Sequence, residues 1–228
     1  MNTLRILRND RTDPFENLSV EKNLLELELH GDVVLMLWQN ECCVVVGRFQ
    51  NPDYEVNLDY VHGRKIPVIR RFTGGGTVYQ DLGNLNITLC KEKDNIVFSH
   101  YVLDEAKAIA NILAETVRKL TKAPVVVDDR ASIFIEGRKI SGSSTAITAH
   151  KFFYHSTLLV NSDLQALKKC LRWEETYPED QHDFVKSKRS QVANLSEYAP
   201  NVTLNMVKEA IICEFVHTLA PNDVMFLG

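Results

Sequence analysis

Three stretches of the sequence carry residue types that could do chemistry together. The first is RRFTGGGTVYQDLGNLNIT, residues 70–88, in which Gly74, Gly75 and Gly76 follow closely on Arg70 and Arg71. Glycines lack a Cβ and let backbone N–H groups approach an anion, and guanidinium groups add charge-assisted donors that suit a phosphate or carboxylate. A tight turn with positive φ is the other account of such a triplet. Strand-forming residues lie on both sides of it, so it is neither the Walker loop nor the dinucleotide GxGxxG, both of which open a helix. The second stretch is EGRKISGSSTA, residues 136–146. There Lys139 stands among strand residues ahead of Ser141, Gly142, Ser143 and Ser144, a small polar run that could hold an ammonium against ligand oxygens. Taken alone, an exposed strand-edge lysine reads the same way. The third is FFYHSTLLVNSDL, where His155 interrupts a strand pattern. It is a structural histidine with satisfied nitrogens, or a site residue if the first two stretches converge on it.

Something must position these residues. Residues 12–31, TDPFENLSVEKNLLELELHG, place Leu18, Val20, Leu24, Leu25 and Leu27 at roughly helical spacing, with Asp13 and Pro14 as a start and Gly31 as a stop. DVVLMLWQN and CCVVVGRF, separated by Gln39, Asn40 and Glu41, give a hairpin signal. KIPVIRRF and GTVYQDLGNLNITLC continue the strand pattern on either side of the glycines. Residues 102–121 form an amphipathic helix with a stripe through Val102, Ala106, Ile109, Ile112, Leu113, Val117 and Leu120, suited to cover a sheet. Strand-like runs follow at 124–128, 132–136 and 152–160. Two more helices are expected, one capped by Ser162 or Asp163 and one by Asn201 or Thr203. Residues 174–190 read as a long charged loop. The mixture predicts α+β with a mixed or antiparallel sheet.

At 228 residues the chain is long enough for one main core and short for two full domains. Its 26 basic and 30 acidic residues leave a net charge of −4, which supplies no general attraction for nucleic acid. The five cysteines show no CxxC spacing, which points to a reducing compartment without a zinc site. No segment approaches the roughly 20 apolar residues of a membrane span, and the N-terminus lacks the apolar stretch of a signal peptide. The expectation is a soluble protein of the cytoplasm, or of the mitochondrion if a transit peptide has been removed.

Together with LRNDRTDPFENLSVEKNLL, LWQNECCVVVGRFQNP and KSKRSQVANLSEY, the three stretches resemble, in order and over nearly the whole chain, the lipoate-protein ligase and lipoyltransferase branch of the biotin/lipoate ligase family. The resemblance implies a mixed, largely antiparallel sheet flanked by helices, like the catalytic domain of biotin ligases and class II aminoacyl-tRNA synthetases. It also implies a two-step activity. Lipoate and ATP, with magnesium, give lipoyl-AMP and pyrophosphate, and the acyl group then passes to a lysine of an acceptor, an E2 subunit of a 2-oxoacid dehydrogenase complex or the glycine-cleavage H protein. By family position Arg71 contacts the nucleotide together with Gly76, Thr77, Val78 and Tyr79, and Lys139 sits between the lipoyl carbonyl and the α-phosphate as the catalytic residue. The same positions imply a lipoyl site made by Trp38, Gly47, Arg70, Gly74, Gly75, Gly76 and His155. His155 matches one of the paired histidines of the family's HHGTL motif, and Tyr154 takes the place of its partner.

The sequence departs from the family pattern in three places. The GRND element before the catalytic lysine reads DRAS here, residues 129–132, so Ala131 and Ser132 replace Asn-Asp. The usual VxHD is VYQD, with Gln80 in place of histidine. One catalytic domain over residues 1–228 is expected, without the C-terminal accessory domain of on the order of 80 residues that bacterial ligases carry. The accessory part is then a separate partner protein, or has been removed, or the chain performs only the transfer step from a lipoyl nucleotide. A biotin ligase would carry GRGRxGR-type glycines, and a cysteine-dependent octanoyltransferase would need a thiol between 140 and 160, where none occurs. A lipoyl-nucleotide or acceptor-binding protein without chemistry is the non-enzymatic alternative.

Overall fold

The computed structural model describes residues 2–93, 102–173 and 184–227. Strands β1 (Thr3–Asn9), β2 (Val33–Trp38), β3 (Cys43–Val46), β4 (Val68–Arg70), β5 (Val78–Gln80), β6 (Asn84–Glu92), β7 (Val125–Val127), β8 (Ile133–Ile135), β9 (Arg138–Ile147), β10 (Lys151–Leu159) and β11 (Asp223–Leu227) make up the sheets. The helices are α1 (Pro14–Asn23), α2 (Pro52–Glu55), α3 (Leu58–Gly63), α4 (Val102–Thr121), α5 (Leu164–Cys170) and α6 (Leu204–Leu219). Among the described residues, eight strands form one sheet in the order β11-β1-β2-β6-β10-β9-β8-β7, and β4-β3-β5 form a second sheet of three. The large sheet is parallel at its β11-β1-β2 edge and antiparallel from β2 onward. This is the α+β architecture with a mixed, largely antiparallel sheet that the sequence pattern predicts. No described helix is long and apolar enough to cross a membrane.

Period-2 alternation in the central strands creates two different faces. On β2, Val33, Leu35 and Leu37 join the main core, which α4 and α6 cover with Ile109, Leu113, Val117, Ile211 and Phe215. Val34, Met36 and Trp38 face the other way, into a smaller cluster beside α1. On β6 the apolar set Leu85, Ile87 and Leu89 enters the main core, so Asn84, Asn86 and Thr88 point to the opposite face and are buried there. Buried polar groups need partners, and this face supplies them around a cavity. The expected 102–121 helix forms over those residues, while Asp163 and Thr203 cap α5 and α6 through their side chains.

Some local expectations give way to tertiary contacts. β2 and β3 do not form a hairpin; β2 lies in the large sheet and β3 in the small one. The corner between them is held by buried side chains: Asn17 Nδ2 reaches Gln39 O and Asn40 Oδ1, both at 2.8 Å, and Asn40 Nδ2 donates to Gln80 Oε1 at 2.7 Å. The first helix starts at the Asp13 cap as expected but ends at Asn23 and passes into a 3-10 turn, Leu24–Glu26, well before Gly31. Its buried side carries Asn17 and Glu21 in place of a leucine stripe. β1 and β11 escape the pattern because they show only through their pairing, β11 at the edge of the sheet and β1 between it and β2. The 174–190 loop falls partly outside the described residues, and its described part forms a wall of the cavity.

Gly83, in the β5–β6 turn, passes under the backbone after β10, and its carbonyl accepts from Val160 N and Asn161 N at 3.0 and 2.9 Å. A Cβ there would fall 2.1 Å from Asn161 O, whereas a Cβ on Gly63 would meet nothing within 4 Å. Gly83→Ala is therefore expected to cost about 1–3 kcal/mol through backbone displacement, seen as a fall of several degrees in Tm. Gly63→Ala should leave Tm unchanged or slightly raised. Equal melting temperatures for the two variants would contradict the close approach.

Candidate active site

β4 and β5 both pair with β3, one parallel and one antiparallel, so the glycines between them cross the end of β3 and do not close a hairpin. Arg71 organises the crossing. Its guanidinium is only 7 % exposed and donates from Nη2 to Gly74 O and Gly76 O at 2.5 and 2.8 Å, from Nε to Thr73 Oγ1 at 3.0 Å, and from Nη1 to Val45 O at 3.3 Å. Burial pulls its pKa down to about 10, with Glu21 opposing, so it stays a cation at neutral pH. The arginine draws the loop's carbonyls to one side. Among the described residues the amides of Gly75 and Gly76 have no acceptor, which leaves N–H groups for an anion. Gly75 sits at φ +83°, and a Cβ on Gly47 would fall 2.2 Å from Gly75 O, so the loop can rest there only on a glycine.

A chain of buried hydrogen bonds runs on from Arg71. Thr73 Oγ1 lies 2.9 Å from His155 Nε2, His155 Nδ1 lies 2.8 Å from Glu21 Oε1, Thr88 Oγ1 donates to the same oxygen at 2.6 Å, and Trp38 Nε1 donates to Thr88 at 3.0 Å. His155 thus has both ring nitrogens partnered. Tyr154 does not join it, since alternation turns that ring into the main core.

Glu21, Trp38, Arg71 and His155 of this hydrogen-bond chain line a cavity of about 280 Å³. Lys139 stands at its other end, on β9, its side chain lying across Gly142, where a Cβ would come within 3.2 Å of Nζ. Burial lowers the Lys139 pKa, Asp128 opposes, and Arg130 and Lys188 add to the lowering. Its ammonium has no acceptor among the described residues. Arg71, Arg130, Lys186, Lys188 and Arg189 also line the cavity, and Glu21 is the one acid among the described lining residues. A smaller cavity of about 110 Å³ adjoins it across Lys139, Gly142 and Thr157, with walls of Tyr79, Leu159, Leu167, Leu171 and Val192.

The segment 184–190 closes over the glycine loop. Ser187 Oγ accepts from Thr77 N and Gln50 Nε2, both at 2.9 Å, and Gln50 Oε1 accepts from Thr77 Oγ1 at 2.8 Å. Glu55, buried on α2, takes Ser187 N at 2.9 Å and Arg189 Nη2 at 2.7 Å.

The structure brings Trp38, Arg71, Gly75, Gly76, Thr77, Val78, Lys139 and His155 together around the larger cavity, and places Tyr79 on the smaller one. Gly74 lines neither; its carbonyl is spent on Arg71 and on Ser144 Oγ at 3.1 Å. Gly47 acts from behind, as the seat of the loop. Arg70, expected at the lipoyl site, turns away: its Nη1 donates to the carbonyls of Gly47, Arg48 and Gln50 at 2.8–3.0 Å. Gln80 holds the β2–β3 corner through Asn40 and donates to Asn86 at 2.8 Å. Sequence reasoning missed Glu21, Thr88, Gln50 and Ser187. Only the polar alternation of β6 could have pointed to Thr88.

The site is a concave, cation-lined cavity on an α+β sheet, suited to an anionic small molecule. The sequence matches the lipoyl protein ligase A/B catalytic domain over residues 13–216. The chain belongs to that family and is a lipoate-ligating enzyme. Among solved structures it is similar to protein Ta0514 of T. acidophilum with bound lipoic acid, at 23 % identity and a TM-score of 0.81 over 100 % of this chain and 90 % of that one. It is similar to a lipoate-protein ligase A bound with ATP, at 23 % identity and a TM-score of 0.82 over 100 % and 88 %. It is also similar to P. falciparum LipL1 in complex with lipoate, at 26 % identity and a TM-score of 0.77, over 98 % of this chain and 66 % of that one. At such identities the first two likenesses are of fold.

Thr88→Val keeps the shape but removes the acceptor of Trp38 Nε1 and a donor to Glu21. We expect a loss of roughly 2–4 kcal/mol, from a buried N–H left unpaired and a carboxylate deprived of a donor. Thr116→Val, whose hydroxyl only bonds back to Ile112 O of its own helix at 3.3 Å, is the control; its expected cost is under about 1 kcal/mol. Denaturant titration of the two variants checks the contrast, and similar losses would contradict the connected chain.

Proposed function

We propose that this chain attaches lipoate to a lysine of an acceptor protein by way of a lipoyl adenylate. The observation that carries the proposal is Lys139, a half-buried ammonium without an acceptor among the described residues, at the junction of the two cavities. The acyl chain lies in the larger cavity toward Trp38 and His155, and the nucleotide base lies against the apolar walls of the smaller one. In the first step the lipoate carboxylate attacks the α-phosphorus of ATP and pyrophosphate leaves. In the second a lysine amine of the acceptor attacks the acyl carbonyl, AMP leaves, and the amine gives up a proton. In both, Lys139 neutralises charge on the acyl and phosphate oxygens, the Gly75 and Gly76 amides face the anion, and the enclosed cavity keeps water from the mixed anhydride. The lipoate-bound and ATP-bound structures of similar fold support both ligands. The acceptors are lipoyl domains of E2 subunits and the H protein; an archaeal bi-partite ligase of similar fold, described with its E2 lipoyl domain, supports the former.

Magnesium is expected to accompany ATP, but the turn before β8 does not fit it. Asp128 Oδ1 accepts from Arg130 N and Ser132 N at 2.9 and 2.8 Å, capping its own turn, and Asp129 pairs outward with Lys107 at 2.8 Å. Arg130 and Ser132, and neither aspartate, reach the cavity from this turn. Ala131, at φ +57°, fixes that turn. This geometry favours a second reading, in which the chain transfers lipoate from preformed lipoyl-AMP and makes little of it from lipoate and ATP.

Lys139→Ala is expected to slow transfer from lipoyl-AMP to an apo acceptor domain by about 10²–10³-fold, with Tm little changed. Lys139→Arg should not restore the rate, because a planar fork cannot occupy a point-charge site. Transfer at near wild-type rate by the alanine variant would remove Lys139 from the mechanism. The two readings separate in a pyrophosphate-release assay with lipoate, ATP and magnesium, run beside transfer from lipoyl-AMP. Transfer with weak release supports the second reading, robust release makes the chain a ligase in its own right, and release that appears only with a second small protein marks a split enzyme. Absence of both release and transfer would overturn the proposal.

A further inference from the structure

The hydrogen bonds around Glu21 converge on its carboxylate, which accepts and cannot donate. Trp38 Nε1 donates to Thr88 Oγ1, so the Thr88 proton goes on to Glu21 Oε1. A carboxylate only accepts, so His155 carries a proton on Nδ1, aimed at the same Glu21 oxygen, while Thr73 Oγ1, which accepts from Arg71 Nε, lies 2.9 Å from His155 Nε2. Oε1 therefore takes two donors. Oε2 takes none: it is buried without a partner, on a side chain that lines the cavity and is fully buried. A buried carboxylate oxygen left unpaired is costly, and a ligand that brings a donor to it recovers that cost.

We propose that Glu21 Oε2 is the acceptor for a thiol at the far end of the acyl substrate, so that the site takes the reduced, dithiol form of lipoate in preference to the cyclic disulfide. The inference rests on the lipoate reading above. Lys139 Nζ lies at the level of Gly142, which pairs with Thr157, and His155 pairs with Ser144, two residues further along the strand. That separation is ~7 Å, so a carboxylate at Lys139 sends the sulfur-bearing end of an extended acid toward His155, Trp38 and Glu21. There the cyclic disulfide presents only lone pairs to Oε2, a plain alkyl end presents only C–H, and the dithiol presents S–H.

The test titrates the 228-residue chain anaerobically, without added thiol, with dihydrolipoate, lipoate and octanoate, and follows the heat of binding. Dihydrolipoate is expected to bind about 5–10-fold more tightly than lipoate, with octanoate no tighter than lipoate, from one added hydrogen bond to a charged group. Glu21→Gln, whose amide can donate to sulfur, should bring the two lipoate forms within about twofold. Glu21→Asp, which keeps the charge but retracts it, should narrow the gap, and carries the comparison if the glutamine variant fails to fold. Equal or tighter binding of the disulfide by the wild type overturns the inference and leaves the lipoate reading standing. Binding of none of the three acids overturns both. A thiol preference unchanged in the folded variants overturns the role of Glu21.

Discussion

Arg71 buries a full positive charge among backbone carbonyls, and the shape of the site follows from how that charge is satisfied. Its donors gather oxygens from Val45, Gly74 and Gly76, which turns the amides of the glycine loop outward and gives a nest for an anion. The loop rests on Gly47, where any side chain would collide with it. The same guanidinium, through Thr73, starts the hydrogen-bond chain that fixes His155 and Glu21. One buried cation thus sets both the polar lining at the His155 end of the cavity and the outward-facing amides of the glycine loop.

The sheet provides the second constraint. A strand covered on one face by α4 and α6 must send every other residue to the opposite face, and on β6 those residues are Asn84, Asn86 and Thr88. Burying them draws on a polar lattice to which Gln80, Asn40, Asn17 and Glu21 contribute. The lattice that prevents β2 and β3 from forming a hairpin is thereby continuous with the wall of the cavity. Fold and site share the same hydrogen bonds.

Charge behaves differently at the two scales. The chain as a whole is acidic, with a net charge of −4, yet its described cavity is lined by six cations and one carboxylate. Several of those cations are already tied to the protein, as Arg71 is to carbonyls and Arg189 to Glu55. Lys139 differs in that burial lowers its pKa, with only Asp128 opposing, and its ammonium has no hydrogen-bond acceptor among the described residues. An anion entering the cavity gains most at that lysine.

The sequence by itself determined the parts whose signals are local. The α4 stripe, the caps at Asp13, Asp163 and Thr203, the glycine triplet beside Arg71, and Lys139 ahead of its small polar run are all legible within a few residues, because periodicity, capping and backbone freedom act at that range. Tertiary structure alone decided that β2 and β3 part into two sheets, that Arg70 braces the 47–50 turn while Arg71 enters the cavity, and that β1 and β11 extend the sheet. Adjacent arginines are indistinguishable in a sequence; strand alternation and the carbonyls that each can reach separate them. Glu21 was the least legible residue of all. It lies in a helix whose nearby leucines suggested an apolar stripe, and only when β6 and β10 bring Thr88 and His155 against it does burying a carboxylate become possible, since an ion leaves water only where donors from distant parts of the chain replace its hydration.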